Sequence, residues 1–137
     1  MATTVVAERA WCVAVPHHPI GAGVARRRLS LELSGAVRPE LLADAIAIIA
    51  ELVGNAIRHA TPLPGDVVRV AWRVRYAAEA QSVTITVTDG GASVLPVVRH
   101  PDLSAVDGRG LAIVEALADG WGFERDGLGQ SVWAEVS

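Results

Sequence analysis

Four polar side chains lie close together in segment 51–59, at the end of a long apolar run. At about 100° of rotation per helical residue, Asn55 lies about 40° from Glu51 around the helix axis. Arg58 lies about 20° to the other side of Glu51, and His59 about 80° round. A carboxylate, an amide and two nitrogen bases on one stripe of an otherwise apolar helix favour a pocket wall. The alternative is the solvated stripe of an ordinary amphipathic helix.

Two glycine motifs follow at places where the chain changes structure. Asp89-Gly90-Gly91 ends a segment with strand periodicity, and Gly108-Arg109-Gly110-Leu111 opens a segment with helical periodicity. Glycines directly before a helix let the backbone approach a ligand, and they leave free N–H groups at the positive helix end. The second motif therefore predicts a phosphate cradle. The alternative is a flexible loop with a glycine cap.

The basic residues restrict the chemistry, because all 12 of them are arginine and the chain has no lysine. A Walker-A loop needs a lysine on the terminal phosphates, and a protein-kinase-type fold needs a strand lysine. A Schiff-base enzyme likewise needs an amine. If this protein handles phosphates, it must use backbone amides, arginine and a metal ion.

Length and composition predict one domain over residues 1–137, with 51% hydrophobic residues supplying its core. No apolar run approaches the roughly 18 residues of a membrane span. Glu8 and Arg9 stand where a signal peptide would need an apolar segment, so we expect a cytoplasmic protein without membrane contact. Cys12 is the one cysteine and has no partner for a disulfide or a zinc site, so a small core residue is expected.

The charge pattern argues against nucleic-acid binding. The net charge is −3, and the arginines are scattered except for Arg26-Arg27-Arg28, which we expect on the solvated face of a helix. His17 and His18 are adjacent in a turn without a neighbouring carboxylate or cysteine. They are therefore expected to be polar loop residues rather than metal ligands.

Hydrophobic periodicity predicts three helices and five strands. Period-two alternation is clearest in the two strands that lead to Asp89. The predicted helices are 20–33, 39–60 and one opening at 108, and the predicted strands are 4–15, 67–76, 82–88, 121–124 and 131–136.

In this order, the motifs E-x-x-x-N-x-x-R-H, D-x-G and G-R-G-L resemble those of the GHKL ATPase superfamily. The resemblance is closest to the small single-domain serine kinases of bacteria that act as anti-sigma factors, and it extends from the first helix to Trp133. It implies a histidine-kinase-like ATP-binding (Bergerat) fold. This is an α/β two-layer sandwich with a mixed, mainly antiparallel sheet covered on one face by three helices.

The resemblance also implies roles for single residues at the phosphate end of a nucleotide. Asn55 resembles the amide that binds Mg²⁺, and Glu51 resembles the base that takes a proton from the attacking hydroxyl. Arg58 and His59 are similar to the basic pair that faces the phosphates. The phosphate-contacting hinge of the lid corresponds to Gly108, Arg109, Gly110 and the amides toward Leu111.

At the adenine end, Asp89 matches the carboxylate that accepts a hydrogen bond from the amino group of the base. Gly91 would leave room for the base to lie flat. Ser131 looks like the hydroxyl that supports Asp89 through water, although the family usually has threonine there. The short segment between Gly91 and Gly108 is similar to the lid of the anti-sigma group, and the chain shows no preceding dimerisation helices with a phosphorylatable histidine.

By this resemblance we expect an ATP-dependent kinase, with ATP and Mg²⁺ as ligands, that phosphorylates a serine or threonine of an anti-anti-sigma partner. A sigma factor would compete for the same protein, which would make the chain a transcription regulator. The family also suggests a homodimer. Two alternatives stay open: a nucleotide-responsive module that sequesters a partner without significant kinase activity, and an interaction protein that keeps only the fold.

Overall fold

The computed structural model describes residues 7–77, 79–91, 109–127 and 129–137, with residues 109 and 110 described by their backbone. The described residues form three helices and five strands, and each lies within a few residues of its predicted position. The elements in chain order are β1 Ala7–Pro16, α1 Gly21–Leu33, α2 Pro39–His59, β2 Val67–Ala77, β3 Ala80–Asp89, α3 Arg109–Leu117, β4 Gly120–Arg125 and β5 Gln130–Val136.

The five strands form one sheet in the order β1-β2-β3-β5-β4. Each of the four pairings between described strands is antiparallel. The predicted two-layer α+β sandwich is confirmed, and the parallel pairing that a mixed sheet would contain does not occur among these strands. Because β5 lies between β3 and β4, the C-terminal end of β3 is next to the N-terminal end of β5. Asp89 is the last residue of β3 and lies at this end of the sheet.

Helix α2 is the central helix of the layer that covers the sheet. Pro39 occupies its first turn with Glu40, and Arg58 and His59 lie in its last turn, as the helix dipole favours. The helix contacts α1, α3 and β3. Its buried side chains are apolar, and burying one leucine of this kind stabilises the fold by about 2 kcal/mol. The buried residues are Leu41, Ala45, Ile48, Ile49, Leu52, Val53, Gly54 and Ala56.

Alternation along the strands separates the core from the open face of the sheet. In β3, Val83, Ile85 and Val87 are buried, while the threonines between them are partly exposed. In β2 the buried residues alternate in the same way with arginines and an alanine. The helix-facing side of the sheet is therefore apolar along most of its length, and Asp89 is a polar exception at the end of β3.

The aromatic side chains and the cysteine divide between the two faces. Trp72 is buried and stacks on Trp11 with 6.2 Å between ring centroids, so both contribute to the core side. On the open face, Trp133 lies against Gly122, where an added Cβ would come within 2.9 Å of the indole nitrogen. Cys12 is exposed, so its prediction as a core residue was wrong. Cys12 is paired with Ala71, which lies between the buried residues Val70 and Trp72 of β2. Both therefore point to the open face of the sheet.

Among the described residues, no helix is both long enough and apolar enough to cross a lipid bilayer.

Candidate functional site

The last two turns of α2 bring the first group of predicted site residues to the surface. Glu51 and Asn55 are partly exposed, and Arg58 and His59 are exposed. Leu52 and Val53 on the other sides of the same turns are buried. The four polar residues therefore form the predicted stripe, at the end of the helix that points toward the Asp89 edge of the sheet.

Arg58 folds back along the helix onto Asn55. Its Nη2 atom donates a hydrogen bond of 2.8 Å to Oδ1 of Asn55. The guanidinium crosses Gly54, where an added Cβ would be only 2.9 Å from Nη1 of Arg58. The amide oxygen predicted to bind a metal is thus already an acceptor for Arg58.

Asp89 ends β3 in a buried position, with 3% of its surface exposed. Its Oδ1 atom accepts a hydrogen bond of 2.7 Å from the backbone N–H of Gly91. Gly91 has a φ of 96°, in the region that favours glycine, and beyond its chain neighbours no atom of the described residues lies within 4 Å of a Cβ added there. The carboxylate therefore fixes the turn that follows it, and Gly91 itself places no side chain beside it.

Burial raises the pKa of Asp89 above its ordinary value of 3.8. The hydrogen bond from Gly91 and the charges of His17 and Arg125 act in the opposite direction but do not cancel that effect. An ionised carboxylate in such a place is costly to desolvate. Buried groups with a perturbed pKa are concentrated at functional sites, which makes Asp89 a candidate for ligand contact.

The end of α2 is joined to the Asp89 turn by the backbone. Gly90 N–H donates to the carbonyl of Thr61 at 2.8 Å, and Thr61 N–H donates to the carbonyl of Gly91 at 3.0 Å. The hydroxyl of Thr61 donates to the same carbonyl at 3.1 Å. A Cβ on Gly90 would overlap the backbone of Thr61 and Pro62, so only glycine fits there. These hydrogen bonds therefore connect the end of α2, with its polar stripe, to the turn at Asp89, and we call α2 and this turn together the frame of the site.

His17, which was predicted to be a loop residue only, caps the end of α2. Its Nε2 atom lies 2.8 Å from the carbonyl of Ala60 and 3.2 Å from that of Ala56. The carbonyl of Ala56 also accepts from the N–H of Ala60, whereas that of Ala60 lies beyond the helix and has no helical partner. His17 is therefore a structural part of the site that local sequence spacing could not indicate, since 39 and 43 residues separate it from these partners. The adjacent His18 is exposed, as expected of a loop residue.

Ser131 is not brought together with Asp89. The register of β3 and β5 places Ser131 opposite Thr88, and their hydroxyl oxygens are 2.8 Å apart. Neighbouring residues of a strand point to opposite faces, so this pair lies on the face away from Asp89. The residue opposite Asp89 is Gln130, which is 5% exposed. In β5, the buried residues Ala134 and Val136 alternate in step with Gln130 and not with Ser131. This alternation in the sequence could have indicated that Gln130 is the residue on the same face as Asp89.

The remaining predicted residues lie at the start of α3. Gly108 is outside the described residues, whereas Arg109 and Gly110 form the first turn of the helix. Leu111 is buried with 6% of its surface exposed, so it can offer a ligand only its backbone. Helix α3 contacts α2, which places its first turn in the same layer as the polar stripe.

The chemistry of the donors suits a metal that arrives with phosphates. No group of three or more His, Cys, Asp or Glu side chains within the described residues could hold an ion alone. Asn55 nevertheless offers a side-chain oxygen, and Mg²⁺ is commonly bound by one or two protein oxygens together with phosphates and water. The residues present therefore fit Mg²⁺ as a companion of a nucleotide.

The α+β sandwich, in which backbone hydrogen bonds join the glycine turn after Asp89 to the end of the central helix, is a GHKL-type ATPase fold. The chain belongs to the family described as histidine kinase-like ATPase domains, whose sequence pattern matches residues 21–136. A search of curated protein sequences found no match.

A solved structure with a similar fold is the crystal structure of the RsbU and RsbW domains of Rv1364c from Mycobacterium tuberculosis. The two chains are 20% identical and superpose with a TM-score of 0.66 over 93% of the present chain. The match covers 31% of the Mycobacterium chain, so the present chain spans about a third of that protein. At this level of identity, the similarity shows the fold.

Proposed function

We propose that this protein binds Mg²⁺-ATP between α2 and α3, with the adenine base at Asp89 and the phosphates at the polar stripe. The observation that carries the proposal is the hydrogen-bonded link between Thr61 and the Gly90-Gly91 turn. Through this link, the helix with Glu51 and Asn55 and the strand end with Asp89 are held in one fixed relation. A nucleotide, with a hydrogen-bonding base at one end and anionic phosphates at the other, matches these two groups of side chains.

The adenine end follows from the chemistry of Asp89. An ionised carboxylate only accepts hydrogen bonds, so it selects a base that presents an amino group. Adenine has such a group, while guanine has a carbonyl oxygen at the same position and would be repelled. Gly91 has no side chain, and within the described residues nothing beyond its chain neighbours lies within 4 Å of a Cβ added there, which would leave room for a flat ring.

The phosphate end combines side chains with a helix terminus. In our proposal, Asn55 contributes its Oδ1 atom to Mg²⁺, and Arg58 and His59 offer positive charge and donors to phosphate oxygens. The backbone of Arg109, Gly110 and Leu111 would add N–H groups at the positive end of α3. Gly108, which the sequence predicts as part of the same phosphate contact, lies outside the described residues. When bound, Mg²⁺ would neutralise part of the phosphate charge that develops during transfer.

For the reaction itself, we propose transfer of the terminal phosphoryl group to a serine or threonine of an anti-anti-sigma protein. The hydroxyl oxygen of the partner forms the new bond to phosphorus, the bond to the ADP oxygen breaks, and Glu51 takes the hydroxyl proton. Glu51 is suited to this role because it is partly exposed, one turn before Asn55 on the same stripe. A sigma factor would bind the same protein in competition with the unphosphorylated partner.

A sequestering module without significant turnover is the second candidate, and the hydrogen bond between Arg58 and Asn55 favours it. In that state the oxygen needed for the metal is an acceptor for a guanidinium. A protein that kept this arrangement with nucleotide bound would hold ATP or ADP and a partner without transferring phosphate.

Incubation with ATP labelled on the terminal phosphate, together with a panel of candidate anti-anti-sigma proteins, tests the kinase proposal. Label on one partner, lost when its acceptor serine is changed to alanine, is the expected result. Tight nucleotide-dependent partner binding without any label would support the sequestering module instead.

A further inference from the structure

Two buried polar side chains face each other across the end of the sheet. Asp89 and Gln130 are directly opposite in the antiparallel register of β3 and β5, and they are 3% and 5% exposed. Residues paired in this way share a face and have Cβ atoms about 5 Å apart. Among the described residues, they are the two polar or charged side chains that are buried. Burial of a carboxamide is costly unless its hydrogen-bonding groups are used.

Arg125 fixes the orientation of the Gln130 carboxamide. Its Nε atom donates a 2.8 Å hydrogen bond to Oε1 of Gln130, and the two residues are opposite each other in β4 and β5. A guanidinium has only donors, so the oxygen of the carboxamide must face Arg125. The NH₂ group is then left as a donor, and no described residue accepts from it.

Two neighbouring groups are thus available to a ligand: the carboxylate of Asp89 as an acceptor and the NH₂ group of Gln130 as a donor. Asp89 uses Oδ1 for the N–H of Gly91, and no direct hydrogen bond joins its carboxylate to Gln130 within the described structure. Gly129 brings the start of β5 close to this point, because a Cβ there would overlap the carbonyl of Asp89. A ligand edge that matches this pair must carry a donor next to an acceptor.

We propose that Gln130 is a specificity-determining residue that donates a hydrogen bond from its NH₂ group to N1 of adenine, while Asp89 accepts from the neighbouring amino group. The inference rests on the proposed binding of ATP. Adenine presents its amino group and N1 as an adjacent donor and acceptor, which is the complement of this pair. Guanine and hypoxanthine present a carbonyl oxygen and an N1–H, so both contacts would be mismatched.

The test compares ATP with its 1-deaza analogue, which keeps the amino group but has a C–H in place of N1. Calorimetric titration in the presence of Mg²⁺ gives the affinity ratio of the two nucleotides. For the unchanged protein we expect ATP to bind about tenfold more tightly, since the analogue leaves the amide donor unsatisfied. In Gln130→Met, which keeps the length of the side chain, the ratio should fall to near one through loss of ATP affinity.

Arg125 is a positioning residue in this scheme, because it acts through the orientation of Gln130. Arg125→Ala should lower the ATP to 1-deaza-ATP ratio, since the carboxamide can then turn its oxygen toward N1. A purely structural role of Arg125 would lower both affinities equally and leave the ratio unchanged.

Gln81→Met is the matched control. Gln81 lies on β3 at the opposite end from Asp89, where its Oε1 atom accepts from the N–H of Arg38. This variant should keep the tenfold ratio. Equal affinity of the unchanged protein for both nucleotides, or loss of the ratio in Ser131→Ala but not in Gln130→Met, would overturn the inference while ATP binding stands. Binding of neither nucleotide would instead contradict the proposed function.

Discussion

Arg58 donates a hydrogen bond from Nη2 to Oδ1 of Asn55, the same amide oxygen that our proposal assigns to Mg²⁺. In our account, Arg58 must leave Asn55 when nucleotide and Mg²⁺ bind, and the phosphates offer it a new partner. The resting contact is exposed and therefore contributes on the order of 1 kcal/mol, which is small enough to be displaced.

Arg58→Met tests this exchange. We expect weaker ATP binding without Mg²⁺, because a cation near the phosphates is lost, and a larger gain in affinity on adding Mg²⁺, because Asn55 is free. Titration calorimetry with and without Mg²⁺ measures both effects. Arg38→Met, at the other end of α2, is the control and should change neither. An unaltered Mg²⁺ effect in Arg58→Met would show that the two residues do not compete.

Glu51→Ala should separate binding from chemistry. Loss of the general base is expected to lower the rate of phosphoryl transfer by at least about 100-fold, while ATP affinity changes little. The rate is measured as phosphate transfer to the unphosphorylated partner protein, and the ATP affinity is measured by calorimetry. Glu40→Ala removes an exposed carboxylate from the first turn of the same helix and serves as the control. Full transfer by Glu51→Ala would rule out Glu51 as the base.

Asp89 should make the free protein less stable as it ionises. Its raised pKa means that the folded protein binds this proton more tightly than the unfolded chain does. The contribution of Asp89 to the free energy of unfolding therefore falls as the pH rises from 3.8 through the folded-state pKa. Asp89→Asn removes this dependence, and it should weaken ATP binding by about 1.5–3 kcal/mol through loss of a charged acceptor.

Urea unfolding of both proteins between pH 3 and pH 8, with buffers of constant ionic strength, measures the stability difference. In nucleotide-free samples, Asp89→Asn should gain stability relative to the unchanged protein as the pH rises, and the gain should vanish at the acid end. If Asp89→Asn instead lost stability relative to the unchanged protein as the pH rises, the folded protein would stabilise the ionised carboxylate.

Gly90→Ala should weaken the link between α2 and the Asp89 turn. The added Cβ would overlap backbone atoms of Thr61 and Pro62, which cannot move as a flexible side chain would. We expect a loss of about 1–3 kcal/mol in stability, the usual effect of overpacking, together with weaker ATP binding. Gly127→Ala, where an added Cβ has open space, is the control for both measurements. Normal stability and affinity in Gly90→Ala would show that the link is unimportant.

The sequence predicted the elements well wherever one periodicity dominated. Alternating valines and threonines identified β3, and the proline that opens α2 marked its start. Asp89 was predicted as a site residue because its D-x-G motif resembles that of the GHKL family. The structure then showed that it is buried.

Contacts between distant segments could not be predicted in the same way. Ser131 differs from Gln130 by one position, and a shift of one residue in a strand exchanges the two faces of the sheet. The interaction of His17 with the end of α2 depends on tertiary packing between segments that no local pattern connects. Cys12 has an apolar character that suits a core, yet the register turns it to the open face.

The central claim is that the frame of α2 and the Asp89 turn binds Mg²⁺-ATP. Calorimetric titration of the purified protein with ATP, with and without Mg²⁺, and then with GTP, tests it most directly. We predict saturable binding of ATP that is strengthened by Mg²⁺, with little or no binding of GTP. Absence of ATP binding, or equal affinity for ATP and GTP, would contradict the account.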